Sequence, residues 1–226
     1  MDTLQQTALL RLAHDLSRGD QKVIHAMKAA IADPPHTTED VGFYVSGSEN
    51  AFENCFRKLC SLLEDREHAV GVEDKYCFDI FEQWLDAGLL ERLPTALLKA
   101  IPLDETFGDA GPEEFAGNLR KFFPNAAREL EAAFAGRGTP LLSLDTNGGD
   151  TLLFITPEPE AAERWRDVEL GQTHDGGTLA VRSPMWHKFW RYIGYASGSK
   201  VGKPPADLPA NRPLRQLSEL EFLRES

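Results

Sequence analysis

The chain has 226 residues and a formal net charge of −12, from 24 lysines and arginines against 36 aspartates and glutamates. This balance argues against general binding to nucleic acids or anionic membranes, because their phosphates would be repelled. The hydrophobic fraction of 42% is enough for a sizeable core, yet no run reaches the ~18 apolar residues of a transmembrane helix. No signal-peptide pattern is seen at the N-terminus, so we expect a cytoplasmic protein.

The first part of the chain, residues 1–138, is predicted to be mainly helical. Residues 3–18 carry leucines at helical spacing, and Asp20 can cap the helix that follows. Ser48 is the predicted cap of a third helix, whose apolar side runs from Phe52 to Leu63. Further helical patterns continue as far as Phe134.

The three cysteines, Cys55, Cys60 and Cys77, all lie in sequence with a helical pattern. Residues five apart on a helix point about 140° away from each other. Cys55 and Cys60 therefore do not form a ligand pair, and no C-x-x-C motif is present. We expect reduced, mostly buried thiols that bind no metal, and no cofactor is indicated.

Negative charge is concentrated in two stretches. Residues 39–74 hold nine carboxylates against three cations, and residues 104–114 hold five carboxylates and no cation. Three explanations are open: a solvated acidic face, a divalent-metal site, or a docking surface for a basic partner protein. In the third case the candidate binding residues include Asp104, Glu105 and Asp109.

The strongest local pattern is a β-hairpin between Leu141 and Ile155. Two apolar runs flank Asn147-Gly148-Gly149-Asp150, and both Asn147 and Gly148 tolerate the positive φ angles of tight turns. We predict strands over roughly 141–146 and 151–156, with Asn147 and Gly148 in the turn.

Shorter elements follow the hairpin. Pro157-Glu158-Pro159-Glu160 is typical of a helix start with acidic residues in its first turn. Residues 168–170 and 178–182 are predicted strands, and His174-Asp175-Gly176-Gly177 is a turn signal between them.

Ser183-Pro184 is predicted to open a helix, residues 184–195, that carries two of the four tryptophans. Trp186 and Trp190 are four residues apart and so lie on one side of this helix. They have two interpretations. The rings pack into the core against the sheet, or they form an exposed patch that anchors a partner protein.

Familiar catalytic motifs are missing from the sequence. Gly194-Tyr195-Ala196-Ser197-Gly198 misplaces the serine of a hydrolase elbow, and no phosphate-binding glycine loop is present. Carboxylates near the predicted turns give a second possibility. Asp145 and Asp150 flank the hairpin turn, and His174 lies in the next turn, so they either bond the local backbone or line a pocket. An enzyme or small-ligand-binding protein, with its pocket near the hairpin and the 184–195 helix, is therefore the alternative function.

Leu142 to Phe154 forms a strand, a Gly-Gly-Asp turn and a second strand. This pattern resembles the SUKH group of immunity and regulatory proteins, which place such a hairpin near the centre of a sheet, and other bacterial families of unknown function. The resemblance covers roughly residues 140–195. It implies a non-catalytic protein that binds another protein.

These observations predict one α+β domain over residues 1–197. Its helical part is followed, over residues 139–197, by an antiparallel sheet of about four strands with flanking helices. Residues 198–226 begin with a Gly-, Ser-, Pro- and Lys-rich stretch and are predicted to be a linker and tail, with a short terminal helix over the last leucines. The predicted function is a non-enzymatic, immunity-like protein whose acidic surface binds a basic partner protein.

Overall fold

The protein was analysed as a computed structural model, which describes residues 1–36, 50–73, 140–147, 151–188, 190–191 and 212–224. Isolated residues 127, 128, 131, 132, 134, 136, 138, 203, 204 and 206 are also described. Predictions that concern Asp104, Glu105, Asp109, Asp150 and Cys77 lie outside the described residues.

The described ranges contain both helices and strands, which confirms the predicted α+β class. In chain order the elements are α1 (Thr3–Leu16), α2 (Gln21–Ala32), α3 (Ala51–Asp65), β1 (Ala69–Glu73), β2 (Leu142–Asp145), β3 (Thr151–Ile155), α4 (Pro159–Trp165), β4 (Val168–Gln172), β5 (Thr178–Arg182) and β6 (Arg215–Gln216), with 3₁₀ turns at Leu217–Glu219 and Glu221–Leu223. Helical residues also occur among the described positions of 127–136 and 186–191.

The strands form one six-stranded sheet in the order β1-β3-β2-β5-β4-β6. All neighbours are antiparallel except β4 and β6, which are parallel. The prediction of about four antiparallel strands is therefore corrected to a mixed sheet with two additional edge strands. β1 lies within the part that was predicted to be helical. β6 is only two residues long, too short for any alternating pattern.

The two predicted hairpin strands are confirmed, whereas Gly148 of the predicted turn lies outside the described residues. β2 and β3 pair antiparallel, with Leu144 opposite Leu153. Asn147 follows β2 with a φ of 54°, which is the left-handed conformation expected of asparagine in such a turn. The second predicted pair, residues 168–170 and 178–182, is also present as β4 and β5. β5 then pairs with β2, which joins the two hairpins into one sheet.

The helix starts are explained by polar caps. The Asp20 side chain accepts a hydrogen bond from the Lys22 backbone N, as the predicted cap of α2. Asn50 caps α3 by accepting from the backbone N of Phe52 and Glu53, whereas the predicted cap, Ser48, lies outside the described residues.

Both faces of the sheet are covered. Alternate residues of a strand point to opposite faces. Leu144 joins the buried cluster that includes α1, α2 and α3. On the other face, the Phe154 ring centroid lies 5.5 Å from that of Trp186, and the Oγ of Ser143 accepts a hydrogen bond from the Met185 backbone N. The helical segment that carries Trp186 therefore packs on one face of the sheet, and the N-terminal helices pack on the other.

The predicted linker and tail, residues 198–226, can be compared with the structure mainly over residues 212–224, since most of 198–211 lies outside the described residues. Residues 212–224 belong to the domain, because β6 extends the sheet and Leu217, Leu220 and Leu223 are buried in the main hydrophobic cluster. The predicted terminal helix is replaced by two 3₁₀ turns. The spacing of these leucines predicted a helix. Their side chains are buried because they contact elements that are distant in sequence.

Candidate functional site

Two turns meet at one end of the sheet. β2 pairs with β5, so that Asp145 lies opposite Ala180, and the loop after β2 comes beside the β4–β5 turn. The two turns are in close contact, since a Cβ atom added to Gly177 would overlap the side-chain amide nitrogen of Asn147. The sheet topology therefore brings Asp145 and His174, two predicted pocket residues, to the same end of the molecule.

Glu53, in the first turn of α3, holds these turns in place. Its side chain is only 1% exposed. Its Oε1 accepts hydrogen bonds from Nε and Nη2 of Arg57, at 3.1 and 2.9 Å. Its Oε2 accepts from the backbone N of His174 at 2.9 Å and lies 3.2 Å from Nδ1 of the same residue. Arg57 also donates to the carbonyl oxygen of Thr146 at 3.3 Å, which completes a link from α3 to both turns.

The environment of Glu53 favours its charged form. Burial by itself would raise the pKa of the carboxyl group, but the hydrogen bonds from the His174 backbone and from Arg57 outweigh it and hold the pKa below the ordinary value of 4.5. The carboxylate is thus a fixed negative charge beside the imidazole. Glu53 is one of the nine carboxylates of residues 39–74, and its burial excludes it from a solvated acidic face. Its spacing of four residues from Arg57 was the available signal for an ion pair.

Asp145 has a structural part in this network. Its Oδ2 accepts a hydrogen bond from Nε of Arg182 at 2.8 Å, and its Oδ1 accepts one from the backbone N of Asn147 at 3.1 Å. The second bond is the local turn contact that aspartate commonly makes. Of the two explanations for Asp145, the structure therefore shows the turn contact.

The His174 turn is stabilised by its neighbours. The Thr173 hydroxyl group makes a short hydrogen bond to the Asp175 carboxylate, and it accepts one from the backbone N of Gly177 at 2.7 Å. The bond from Thr173 lowers the pKa of Asp175, with a smaller contribution from Gly177. This arrangement fixes the turn and leaves the His174 side chain 44% exposed.

The geometry of Glu53 and His174 is suited to proton transfer. A buried carboxylate near Nδ1 orients an imidazole, whose other nitrogen can then exchange a proton with a ligand. A nucleophile or metal would extend this chemistry, but the residues that the structure describes contain no group of three or more His, Cys, Asp or Glu side chains that could hold a metal ion.

A polar cleft lies elsewhere on the molecule, between α1 and α4. It has a volume of about 640 Å³ and is lined by His14, Asp15, Arg18, Glu158, Pro159, Glu160, Ala161 and Arg164. Arg18 closes one side, because it donates to the Thr156 carbonyl oxygen at 2.9 Å and pairs with Glu158 at 3.2 Å. Three carboxylates and two arginines line this cleft; Arg18 pairs with Glu158 and Arg164 with Asp15, whereas Glu160 forms no ion pair within the described residues.

The predicted aromatic binding residues are buried. Trp186 is 0% exposed and Trp190 is 8% exposed, so the core interpretation is the one that the structure shows. The Trp186 Nε1 donates to Oε1 of Glu131 at 2.7 Å. Burial raises the pKa of Glu131, partly offset by this hydrogen bond. Neither ring is available to anchor a partner in this conformation.

Two of the three cysteines can be described, and both are buried and free. Burial raises the pKa of Cys55 to about 11, and that of Cys60 further. Such thiols are poor nucleophiles and poor metal ligands at neutral pH.

Comparisons with protein-family models, with curated proteins and with solved structures found no match for this chain. Membership of the SUKH group therefore stays a prediction from the hairpin. Among the helices that could be searched, none combines the length and apolar character needed to cross a membrane.

Proposed function

We propose that this is a non-enzymatic protein that binds a basic partner protein through an acidic surface, as immunity proteins do. The observation that carries the proposal is the distribution of charge. Three arginines are engaged by carboxylates that are themselves buried, so their positive charge is compensated inside the domain. The pairs are Asp15–Arg164, Glu53–Arg57 and Asp145–Arg182.

Other carboxylates remain exposed. Within the described ranges, nine exposed acidic side chains take part in no ion pair: Asp2, Asp33, Asp65, Glu67, Glu160, Glu163, Asp175, Glu219 and Glu221. A chain of net charge −12 whose arginines compensate buried acids presents a negative surface. Such a field speeds association with a positively charged protein and disfavours acidic competitors.

The test is capture from an extract of the native cell with the full-length chain as bait. A basic protein should be retained at ~0.1 M salt and released at ~1 M, because the Debye length falls from ~10 to ~3 Å. A bait carrying Asp65→Lys and Glu67→Lys should retain less of it. A bait carrying Asp33→Lys and Glu221→Lys, with the same change in charge, shows whether the loss depends on position or on total charge. If all three baits retain the same proteins at both salt concentrations, the acidic-surface proposal is wrong.

The alternative is an enzyme or small-ligand-binding protein with its site at the hairpin end. It is favoured by one observation, the half-exposed His174 imidazole beside the buried Glu53 carboxylate. Glu53 and His174 form a titratable pair at the point where two turns meet, and titratable groups often cluster at ligand sites.

A thermal-shift screen against polar metabolites tests this alternative. A ligand of the site should raise the melting temperature of the native protein and lose that effect in His174→Ala. Asp175→Ala, in the same turn, controls for loss of turn structure. If no compound raises the melting temperature, or if His174→Ala responds like the native chain, the site is structural.

A further inference from the structure

We propose that residues 212–224, here called the arm, can leave their own domain and dock into the same groove of a second copy of this chain. The resulting dimer would contain two complete domains, each closed by the arm of the other copy. This interaction depends on the apolar and backbone contacts of the arm and does not rest on the acidic surface proposed above.

The arm is attached at a defined point. The backbone N of Arg215 donates to the carbonyl oxygen of Asp167 at 2.8 Å. Its Nη2 donates to three further carbonyl oxygens around the C-terminal end of α4, which are those of Glu163 at 3.3 Å, Arg164 at 2.8 Å and Arg166 at 2.8 Å. Carbonyl groups at a helix end lack partners within the helix, so Arg215 recognises a feature that any folded copy presents.

The remaining arm contacts are mainly apolar. Leu217, Leu220 and Leu223 are buried in the main cluster. The Phe222 ring packs edge-on against Trp165, with centroids 5.2 Å apart. A groove between α1, α4 and β4 receives these side chains, and leaving it empty would expose a continuous apolar surface to water. The groove therefore favours occupation by an arm from either source.

The arm is also separable from the rest of the fold. β6 is at the edge of the sheet and contributes only two residue pairs, so its departure breaks none of the pairings among β1 to β5. Twenty residues, 192–211, separate Arg191 from the arm. A chain of that length reaches up to roughly 65–70 Å when fully extended, which is far enough to cross to a neighbouring molecule.

Exchange of the arm costs little free energy, because the arm makes the same contacts in its own copy and in a second copy. Identical elements swap between protomers for this reason. A tethered arm has an effective concentration on the order of millimolar, so the closed monomer dominates in dilute solution. The exchanged dimer should increase as the protein concentration approaches that value.

Disulfide trapping tests the proposal with full-length chains. Glu169 and Gln216 are Cα partners across β4 and β6, and their side chains hydrogen-bond at 3.1 Å. Two cysteines at such positions lie within the range that a disulfide can bridge. A Glu169→Cys chain mixed with a Gln216→Cys chain should give a disulfide-linked heterodimer, with yield rising several-fold from micromolar to near-millimolar concentration.

Three controls make the result decisive. The double variant Glu169→Cys/Gln216→Cys should close an intramolecular disulfide in dilute solution, which shows that the geometry is competent. Gln216→Cys mixed with Lys28→Cys measures random collision, and Gln216→Cys mixed with the native chain measures reaction with native cysteines.

The proposal is overturned if the 169–216 heterodimer forms no faster than the 28–216 collision control at any concentration. Light scattering of the native chain gives an independent measurement. A monomeric mass that persists at near-millimolar concentration also overturns arm exchange.

Discussion

The indole Nε1 of Trp165 donates a 2.9 Å hydrogen bond to the buried carboxylate of Asp15, which joins α4 to α1 across 150 residues of sequence. Arg164 adds a salt bridge to the same Oδ2 atom at 3.1 Å. This carboxylate is thus held by two adjacent residues of α4, and its burial is tolerated because its charge is paired and hydrogen-bonded.

Asp15→Ala is expected to lower the free energy of unfolding by about 3 kcal/mol, because it leaves a buried indole N–H and a partly buried guanidinium group without their acceptor. Chemical denaturation measures the change. Asp33→Ala is the control, since Asp33 is exposed and unpaired; its effect should stay within about 0.5 kcal/mol. Equal effects of the two substitutions would mean that Asp15 is not a structural link.

Glu53→Gln is expected to destabilise the protein more at neutral than at acidic pH. The folded-state pKa of Glu53 is lowered, so its ionised form contributes stability above the ordinary value of 4.5, and this contribution is lost as the pH falls through the folded-state pKa. The loss at pH 7 should be about 1–3 kcal/mol. Denaturation curves of the native chain and the variant should converge at acidic pH, with exposed Asp65→Asn as the control. A difference that does not change with pH would contradict the assigned ionisation.

Gly171→Ala tests the contact between β4 and α3. A Cβ atom at this position would lie 2.6 Å from Cε1 of the buried Phe52 ring, so that either the strand or the ring must move. The expected loss is about 1–3 kcal/mol. In the double variant with Phe52→Leu, the loss of unfolding free energy should be smaller than the sum of the losses in the two single variants. Gly136→Ala, where nothing lies within 4 Å of the added atom, is the control and should not destabilise, because alanine is a better helix former than glycine.

The arm is expected to be required for a stable monomeric fold. Leu220→Ala should lower the free energy of unfolding by about 2–4 kcal/mol, because it leaves a cavity in the core.

A chain truncated after Ser197 should lose the near-ultraviolet circular dichroism of its buried tryptophans. A truncated chain that keeps this spectrum would show that the arm is not required for the fold.

Charge reversal of Asp104, Glu105 and Asp109 to Lys tests the acidic surface once a partner is in hand. The change should slow association more than it speeds dissociation, since long-range charge acts mainly on the encounter rate. Stopped-flow kinetics at two salt concentrations measures both rates. The thermal melting curve is the control; the prediction that these carboxylates form a solvated surface requires it to change little. An unchanged association rate would exclude these residues from the interface.

The sequence by itself determined the fold class and most local elements near the sheet. Apolar runs around Asn147 predicted the β2–β3 hairpin, and Asp20 was identified as the cap of α2. Pro157 to Glu160 was predicted to start a helix, and α4 begins at Pro159. These features depend on residues within a few positions of one another, so turn chemistry, helix capping and periodicity are sufficient to predict them.

Only the tertiary structure decided how these elements join and which charges are buried. β1 and β6 find their partners through pairs distant in sequence, and the arm leucines are buried only because α1, α4 and β4 form a groove. Glu53 looks like one more surface carboxylate until α3 is packed beside the His174 turn. Burial of a charge depends on the cation and the backbone N–H groups that surround it, and those arrive from distant parts of the chain.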